Sequence, residues 1–249
     1  MVTTATTTAP DLAQQGAKIL GHYSGYVATW TIDLGLRTGL WQALTDRPQG
    51  ATAEQVAAQL GLDPLYTRVW CRSAYAAGLL ELDAGGSYTL APHLDTLLLN
   101  SDAPGYLGGL GQVMVALRDT FQDLRGFIKT GEREWWSDMT PEFIAAVGDA
   151  GQAFYRRMIN GVVPQLPAVR ERLEAGTRVL DLACGTCNGP IKFARAYPQT
   201  TYLAVDGDAY TIEYARRNLE GQGLLDRFEL VQSPLEELAI ENSSDIAII

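Results

Sequence analysis

Two patterns of hydrophobic positions divide the chain near Gly176. Upstream, the apolar positions form long stretches that favour helices, such as YVATWTIDLGLRTGLWQAL. Downstream, four short apolar runs, RVLDLA, TYLAVD, FELVQ and SDIAII, alternate with two amphipathic segments, GPIKFARAY and DAYTIEYARRNLEG. Strands that alternate with helices at this spacing predict an α/β fold with a parallel sheet and crossover helices.

The pattern of residues 21–100 predicts three helices followed by two strands. Thr52, with Gln55 three residues later, has the signature of an N-cap, and Asp63 followed by Pro64 is a usual helix entry. The segment GLLELDAGGSYTLAP then indicates a strand, a Gly-Gly turn and a second strand. This order of elements predicts a winged-helix domain.

Three further segments complete the predicted organisation. Residues 1–20 are expected to be a disordered lead-in tail, because the chain starts with a Thr/Ala-rich stretch. Residues 101–176 are expected to form a helical connector punctuated by prolines. Residues 177–249 hold the four strands of the predicted sheet.

The candidate chemistry lies at the carboxyl ends of these strands. The segment RVLDLACGTCNGP takes a strand into a loop of small residues that opens a helix, which lets a ligand approach the backbone closely. Asp181 at the end of that strand would repel a pyrophosphate and attract an ammonium or sulfonium group. Asp206 ends the second strand, where a carboxylate can accept both ribose hydroxyls of a nucleoside. Ser233 and Leu235, after the third strand, are expected beside an adenine.

These residues resemble the first half of a class I S-adenosylmethionine-dependent methyltransferase. VLDLACGT is similar to the first motif of that family, and VDGDAYTIEYARRN is similar to the second. The resemblance implies S-adenosyl-L-methionine as the cofactor. It places the methionyl end on Asp181 and the loop residues Ala183, Cys184, Gly185, Thr186 and Cys187, the ribose on Asp206, and the adenine on Ser233, Pro234 and Leu235. Gly207 is a further expected cofactor-binding residue. Ala183 and Cys187 replace two of the usual glycines, and Ser233 stands where many members have Asp.

The upstream domains resemble those of small-molecule O-methyltransferases, in which a winged helix serves dimerisation and closure over the substrate. Phe154, Tyr155 and Met158 match a Phe-x-x-x-Met pattern that faces cofactor and substrate in those enzymes. The family sheet has seven strands, so the resemblance implies that this chain is a fragment that ends within strand four. No catalytic residue is assigned, and no metal site is predicted. Trp135 and Trp136 either cap an apolar substrate pocket or serve in connector packing or in a dimer contact.

Charge, hydropathy and cysteine content limit the partners and the cellular location that we expect. The net charge is −10, and residues 1–100 carry five basic and eight acidic side chains, so we expect no nucleic-acid partner. No apolar run reaches the length of about 18–20 residues that crosses a bilayer, so we expect no membrane partner. Three cysteines without a secretion signal predict a reducing, cytoplasmic location.

The sequence therefore predicts a homodimeric methyltransferase that acts on a small-molecule acceptor, with an oxygen as the expected methylated atom. One alternative is a winged-helix transcriptional regulator whose methyltransferase half is vestigial or senses a ligand. A second alternative is a thioredoxin-like redox protein, because Cys184 and Cys187 form a C-x-x-C at a helix N-terminus. The redox alternative leaves Asp206 and the winged helix unexplained.

Overall fold

The computed structural model describes residues 9–103, 105–238 and 244–249, which fall into two compact units. The first unit ends at Pro92 and the second runs from His93 to Ile249. The predicted division placed the connector at residues 101–176 apart from the sheet. The structure instead contains the connector helices and the sheet in one unit, because the longest connector helix packs directly on the first crossover helix.

Over its described residues, the first unit has the two-stranded wing that the sequence predicts, and four helices where three are predicted, because Gly39, with φ +79°, divides the first apolar stretch into two helices. Its elements are α1 (Leu12–Thr38), α2 (Leu40–Thr45), α3 (Ala53–Leu60), α4 (Pro64–Ala76), β1 (Leu80–Leu82) and β2 (Tyr88–Leu90). The predicted caps are present: the Thr52 hydroxyl accepts from the Gln55 N–H, and the Asp63 carboxylate accepts from the Tyr66 N–H. The antiparallel pair β1 and β2 forms the wing.

The start of α1 corrects the prediction of a disordered tail over residues 1–20. The Asp11 carboxylate accepts from the Gln14 N–H at 2.8 Å, while the Gln14 side chain accepts from the Asp11 N–H at 2.9 Å. This reciprocal capping box satisfies backbone donors that would otherwise lack partners, so the helix begins at Leu12. Residues 1–8 lie outside the described part of the chain.

Two tryptophans form the centre of the first core. The rings of Trp41 and Trp70 meet edge to face with centroids 4.7 Å apart, and their indole N–H groups donate to the carbonyls of Ile32 and Thr31. Both donors are thus paired inside the core, as buried indoles require. A side chain at Gly35 would collide with the Trp41 indole, so the close approach of α1 to this ring depends on that glycine.

The second unit begins with the connector helices. They are α5 (Leu94–Leu99), α6 (Gly108–Ala116), α7 (Arg118–Thr130), α8 (Pro141–Arg157) and α9 (Pro167–Ala175). A short 3-10 turn, Trp136–Asp138, precedes α8, and a π-helical turn, Met158–Val162, follows it. Leu117 separates α6 from α7.

The four predicted strands form a parallel sheet. They are β3 (Arg178–Leu182), β4 (Thr201–Asp206), β5 (Phe228–Gln232) and β6 (Ile246–Ile248), in the order β5-β4-β3-β6. The crossover helices are α10 (Asn188–Ala196) and α11 (Ala209–Gly221). The predicted α/β fold class is confirmed. Four of the six residues of β4 are buried, and the five residues of β3 are buried or half-buried, which is why these central strands read as continuous apolar runs.

No helix within the described residues combines the length and the apolarity that crossing a membrane would need.

Candidate functional site

A cavity of about 380 Å³ lies at the carboxyl ends of β3 and β4. Its walls come from the loop after β3 (residues 183–186), from Asp206 at the end of β4, from α8 and from the first turn of α10. Ligands of open α/β sheets bind at this edge, because the loops that follow the strands meet there. The apolar part of the wall includes Trp136, Ile144 and Val147.

The loop after β3 contains three residues with left-handed backbone. Ala183 has φ +58°, Gly185 has φ +56° and Cys187 has φ +59°. In this region a Cβ crowds the following carbonyl, so glycine is favoured. The two positions where this sequence departs from the glycines of the family pattern therefore carry backbone strain. Ala183 is exposed, whereas Cys187 is completely buried.

Asp206 connects the two loops that flank the cavity. Its Oδ2 accepts from the Gly185 N–H and its Oδ1 accepts from the Asp208 N–H, both at 3.0 Å. Each carboxylate oxygen has a second lone pair, so these bonds leave acceptor capacity. Asp206 also lines the cavity, where that capacity is available to hydroxyl donors.

Asp181 lies behind the cavity wall and does not form part of it. Its side chain is 1% exposed, and its Oδ2 accepts from the Tyr155 hydroxyl at 2.7 Å. Its Oδ1 is buried and has no hydrogen-bond partner. Burial raises the pKa of Asp181 to about 7, although the bond from Tyr155 opposes the rise. Asp181 therefore does not face the cavity directly and contacts it through Tyr155.

Tyr155 joins Asp181 to the cavity. It lines the cavity wall on one side and bonds the carboxylate on the other. Its ring packs so closely on α10 that a Cβ added at Gly189 would come within 2.0 Å of it. A Cβ at Gly148 would likewise come within 2.0 Å of the Thr186 hydroxyl. These two glycines let α8 dock against the loop and against α10.

A polar network that the sequence did not reveal fixes the start of α10. The Asn188 amide donates to Asp149 at 2.9 Å, and the Asn218 amide donates both to Asn188 and to the backbone carbonyl of Thr186. These partners come from α8, α10 and α11, 30 to 39 residues apart. Nothing in the local sequence pattern signals such contacts.

The cysteine pair has the wrong environment for a thioredoxin-like site. Cys184 and Cys187 are both buried and free. The contact with Cys187, followed by burial, raises the pKa of the Cys184 thiol. Redox-active C-x-x-C motifs need a thiol whose pKa is lowered, so these residues serve as small side chains of the loop.

The other predicted site residues occupy different places. Ser233 adjoins Asp206, since its N–H donates to the Asp206 carbonyl at 3.0 Å, and Pro234 lies beside Gly207. Leu235 is half exposed. Gly207, Ser233, Pro234 and Leu235 do not line the cavity, whereas Asp206 does.

Among the residues expected to face the substrate, only Tyr155 lines the cavity. Phe154 is half exposed, and Met158 packs against the core of the second unit. Trp136 lines the cavity and donates its indole N–H to the Thr211 hydroxyl at 3.1 Å, while Trp135 is exposed. Within the described segments, no three His, Cys, Asp or Glu side chains come together as a metal site would require.

Two family models match the chain. Residues 179–249 match the model described as a methyltransferase domain, and residues 27–99 match the model described as an Rv2258c-like winged HTH domain. The predicted combination of a winged helix with a methyltransferase domain is confirmed. No curated protein matches the chain.

Solved structures share the fold at low sequence identity. PigF with SAH has a TM-score of 0.67 and 21% identity, over 93% of this chain and 70% of that chain. Human N-acetylserotonin methyltransferase in complex with SAM has a TM-score of 0.65 and 14% identity, over 97% and 71%. N,N-8-amino-8-demethyl-D-riboflavin dimethyltransferase (RosA) from Streptomyces davawensis has a TM-score of 0.53 and 21% identity, over 96% and 72%.

The strain at Ala183 predicts a stabilising substitution. Ala183→Gly should raise the free energy of unfolding by about 1 kcal/mol, because glycine adopts the left-handed conformation without a steric penalty. Urea unfolding followed by circular dichroism measures the change. Ala196→Gly, at the exposed last position of α10, is the control and should not raise the same quantity, because alanine has the higher helix propensity. Equal destabilisation by both substitutions would show that the loop is not strained at Ala183.

Proposed function

We propose that this chain, whose residues 179–249 are a methyltransferase domain, binds S-adenosylmethionine in the cavity and transfers its methyl group to a small molecule. The observation that carries the proposal is the position of the cavity. It is bordered by the loop after β3 and by Asp206, which are the two features of the matched segment that the family resemblance assigns to the cofactor.

The residues present fit this cofactor. The volume of about 380 Å³ lies in the usual range for small-molecule sites, roughly 300–1,000 Å³. Two buried polar atoms beside the site, Asp181 Oδ1 and Thr186 Oγ1, have no partner, and such atoms commonly mark a place where a ligand or water belongs. The Cβ of Ala183 forms part of the wall and leaves the cavity open.

Within this site, Asp206 would hold the ribose hydroxyls, and the loop residues 183–187 would approach the methionyl end. Ser233, Pro234 and Leu235, which follow β5 next to Asp206, would border the adenine. The cofactor supplies an electrophilic methyl group on a sulfonium. The protein contributes mainly the relative orientation of that group and the acceptor. No residue of this chain is assigned as a base.

The acceptor is proposed to be a small hydroxylated or aromatic molecule, methylated on oxygen. Trp136, Ile144 and Val147 support this class, because they give the cavity an apolar wall that suits a ring. The names of two structural neighbours refer to small aromatic compounds, a serotonin derivative and a riboflavin derivative. The cytoplasmic location expected from the cysteines stays a prediction.

A second copy of the chain is proposed as the partner of α1. Its exposed apolar residues recur along one region of the helix at helical spacing: Ile19, Leu20, Tyr23, Tyr26 and Val27. A contiguous exposed apolar patch of this kind is typical of a protein interface. The winged-helix match over residues 27–99 agrees with the dimerisation role that the family resemblance implies.

The dimer proposal predicts that charges on α1 will separate the copies. The double variant Tyr23→Glu with Val27→Glu should have the mass of a monomer in light scattering, whereas the unchanged chain should have twice that mass. Tyr210→Glu, at a partly exposed position on α11, is the control and should remain dimeric. A monomeric unchanged chain would contradict the proposal.

Titration calorimetry with S-adenosylhomocysteine tests the cofactor site. Asp206→Ala should weaken the Kd at least about tenfold, because a carboxylate that pairs with two hydroxyls is removed. Asp208→Ala is the matched control. The Asp208 carboxylate caps α11 by accepting from the Thr211 N–H and lies outside the cavity wall, so this substitution should leave the Kd unchanged. Absence of binding by the unchanged chain, together with salt-sensitive DNA binding, would favour the regulator instead.

A further inference from the structure

The position of Asp181 poses a chemical problem for the proposed cofactor site. Its carboxylate is the acidic group nearest to the methionyl end in the family resemblance, yet the side chain is buried behind the cavity wall. One of its oxygens has no hydrogen-bond partner, so part of the acceptor capacity of the carboxylate is unused. A buried carboxylate with unused acceptor capacity costs folding free energy and calls for a function.

Tyr155 is the group through which Asp181 can act on the cavity. The phenolic oxygen has one donor and two acceptor lone pairs. Its proton is committed to Asp181 Oδ2 at 2.7 Å, so the only role left to the hydroxyl is that of an acceptor. Donation to a carboxylate polarises the O–H bond and strengthens the acceptor character of the oxygen. An ammonium group, which offers only donors, is the natural partner of such an oxygen.

The fold holds Tyr155 firmly in this arrangement. The absence of a side chain at Gly189 lets the tyrosine ring lie directly on the first turn of α10. The neighbouring Phe154 ring meets it edge to face, with centroids 5.5 Å apart. The ring also packs against the core of the second unit. The hydroxyl therefore cannot easily leave the carboxylate.

We propose that the Tyr155 hydroxyl is the acceptor for the protonated amino group of the cofactor, and that Asp181 is the positioning residue that orients and polarises this hydroxyl. The inference rests on the proposed function. It differs from the direct contact between Asp181 and the cofactor that the family resemblance implies, since the carboxylate acts from behind the wall.

The charge of Asp181 makes this contact dependent on pH. The titratable groups that face it are Tyr155 from α8, Asp206 and Tyr202 from β4, and Cys184 from the loop. Burial raises the pKa of Asp181 to about 7, so the carboxylate is mostly protonated at pH 5.5 and mostly ionised at pH 7.5. The ionised form accepts the Tyr155 proton more strongly. Affinity for an ammonium-bearing ligand should therefore rise across this interval.

Two ligands separate the inference from the proposed function. S-Adenosylhomocysteine carries the amino group, whereas 5′-methylthioadenosine has the same nucleoside and a thioether without it. For the unchanged chain we expect the Kd of S-adenosylhomocysteine to fall about tenfold from pH 5.5 to pH 7.5, with little change for 5′-methylthioadenosine. Failure of both ligands to bind would contradict the proposed function itself.

Two variants test the roles of the hydroxyl and the carboxylate. Tyr155→Phe should raise the Kd of S-adenosylhomocysteine about tenfold at pH 7.5 and leave the Kd of 5′-methylthioadenosine unchanged. Asp181→Asn, which keeps the volume and one acceptor, should remove the pH dependence and hold the affinity near the low-pH value of the unchanged chain. Tyr197→Phe, which removes a hydroxyl from another tyrosine of the same core, is the control and should change neither Kd.

Three outcomes would overturn the inference while the proposed function stands. The first is unchanged or tighter binding of S-adenosylhomocysteine by Tyr155→Phe, which would mean that the tyrosine shields Asp181 instead of transmitting its effect. The second is an equal loss of affinity for both ligands in that variant, which would mean that the ring only shapes the cavity. The third is persistence of the pH dependence in Asp181→Asn.

Discussion

The hydrogen bond from Tyr155 to Asp181 joins the connector helix α8 to the central strand β3, and the cavity lies between the elements that this bond holds together. For the bond to form, α8 must lie very close to the loop after β3 and to the first turn of α10. Gly148 and Gly189 permit that approach, because a Cβ at either position would overlap Thr186 or Tyr155. Part of the cavity wall therefore comes from a helix that precedes the sheet in the chain. The helical connector is consequently part of the site and not only a spacer.

The same bond involves a conflict between folding and binding. Asp181 ordinarily titrates near 3.8, and burial raises its pKa to about 7 in the folded protein. A group whose pKa rises on folding stabilises the folded state fully below its ordinary pKa, and this contribution is lost as the pH rises through about 7. At neutral pH the folded unit therefore bears the cost of ionising a buried carboxylate. That ionised carboxylate is the form which favours a cationic ligand, and binding such a ligand would recover part of the cost.

The secondary-structure elements could be predicted from the sequence, whereas the way in which they pack against one another could not. The four strands and the wing could be predicted because burial on both faces and turn residues leave local patterns. The left-handed positions of Ala183 and Cys187 were foreseeable only through the resemblance, which places glycines there. The contacts of Tyr155 with Asp181, and of Asn218 with Asn188 and Thr186, join residues 26 to 32 positions apart and leave no local trace. The start of α1 is different, since Asp11 with Gln14 three residues later is a capping signal that the sequence itself contains.

Through Tyr155, Asp181 senses the charge of the ligand from behind the cavity wall. Titration calorimetry of the unchanged chain with S-adenosylhomocysteine at pH 6.5, in several buffers that differ in their enthalpy of ionisation, tests this coupling. Because a cation lowers the pKa of a nearby carboxyl group, binding should release roughly half a proton or more per site, and the apparent enthalpy should vary linearly with the buffer. An apparent enthalpy that is the same in every buffer, or one that indicates proton uptake, would contradict the account.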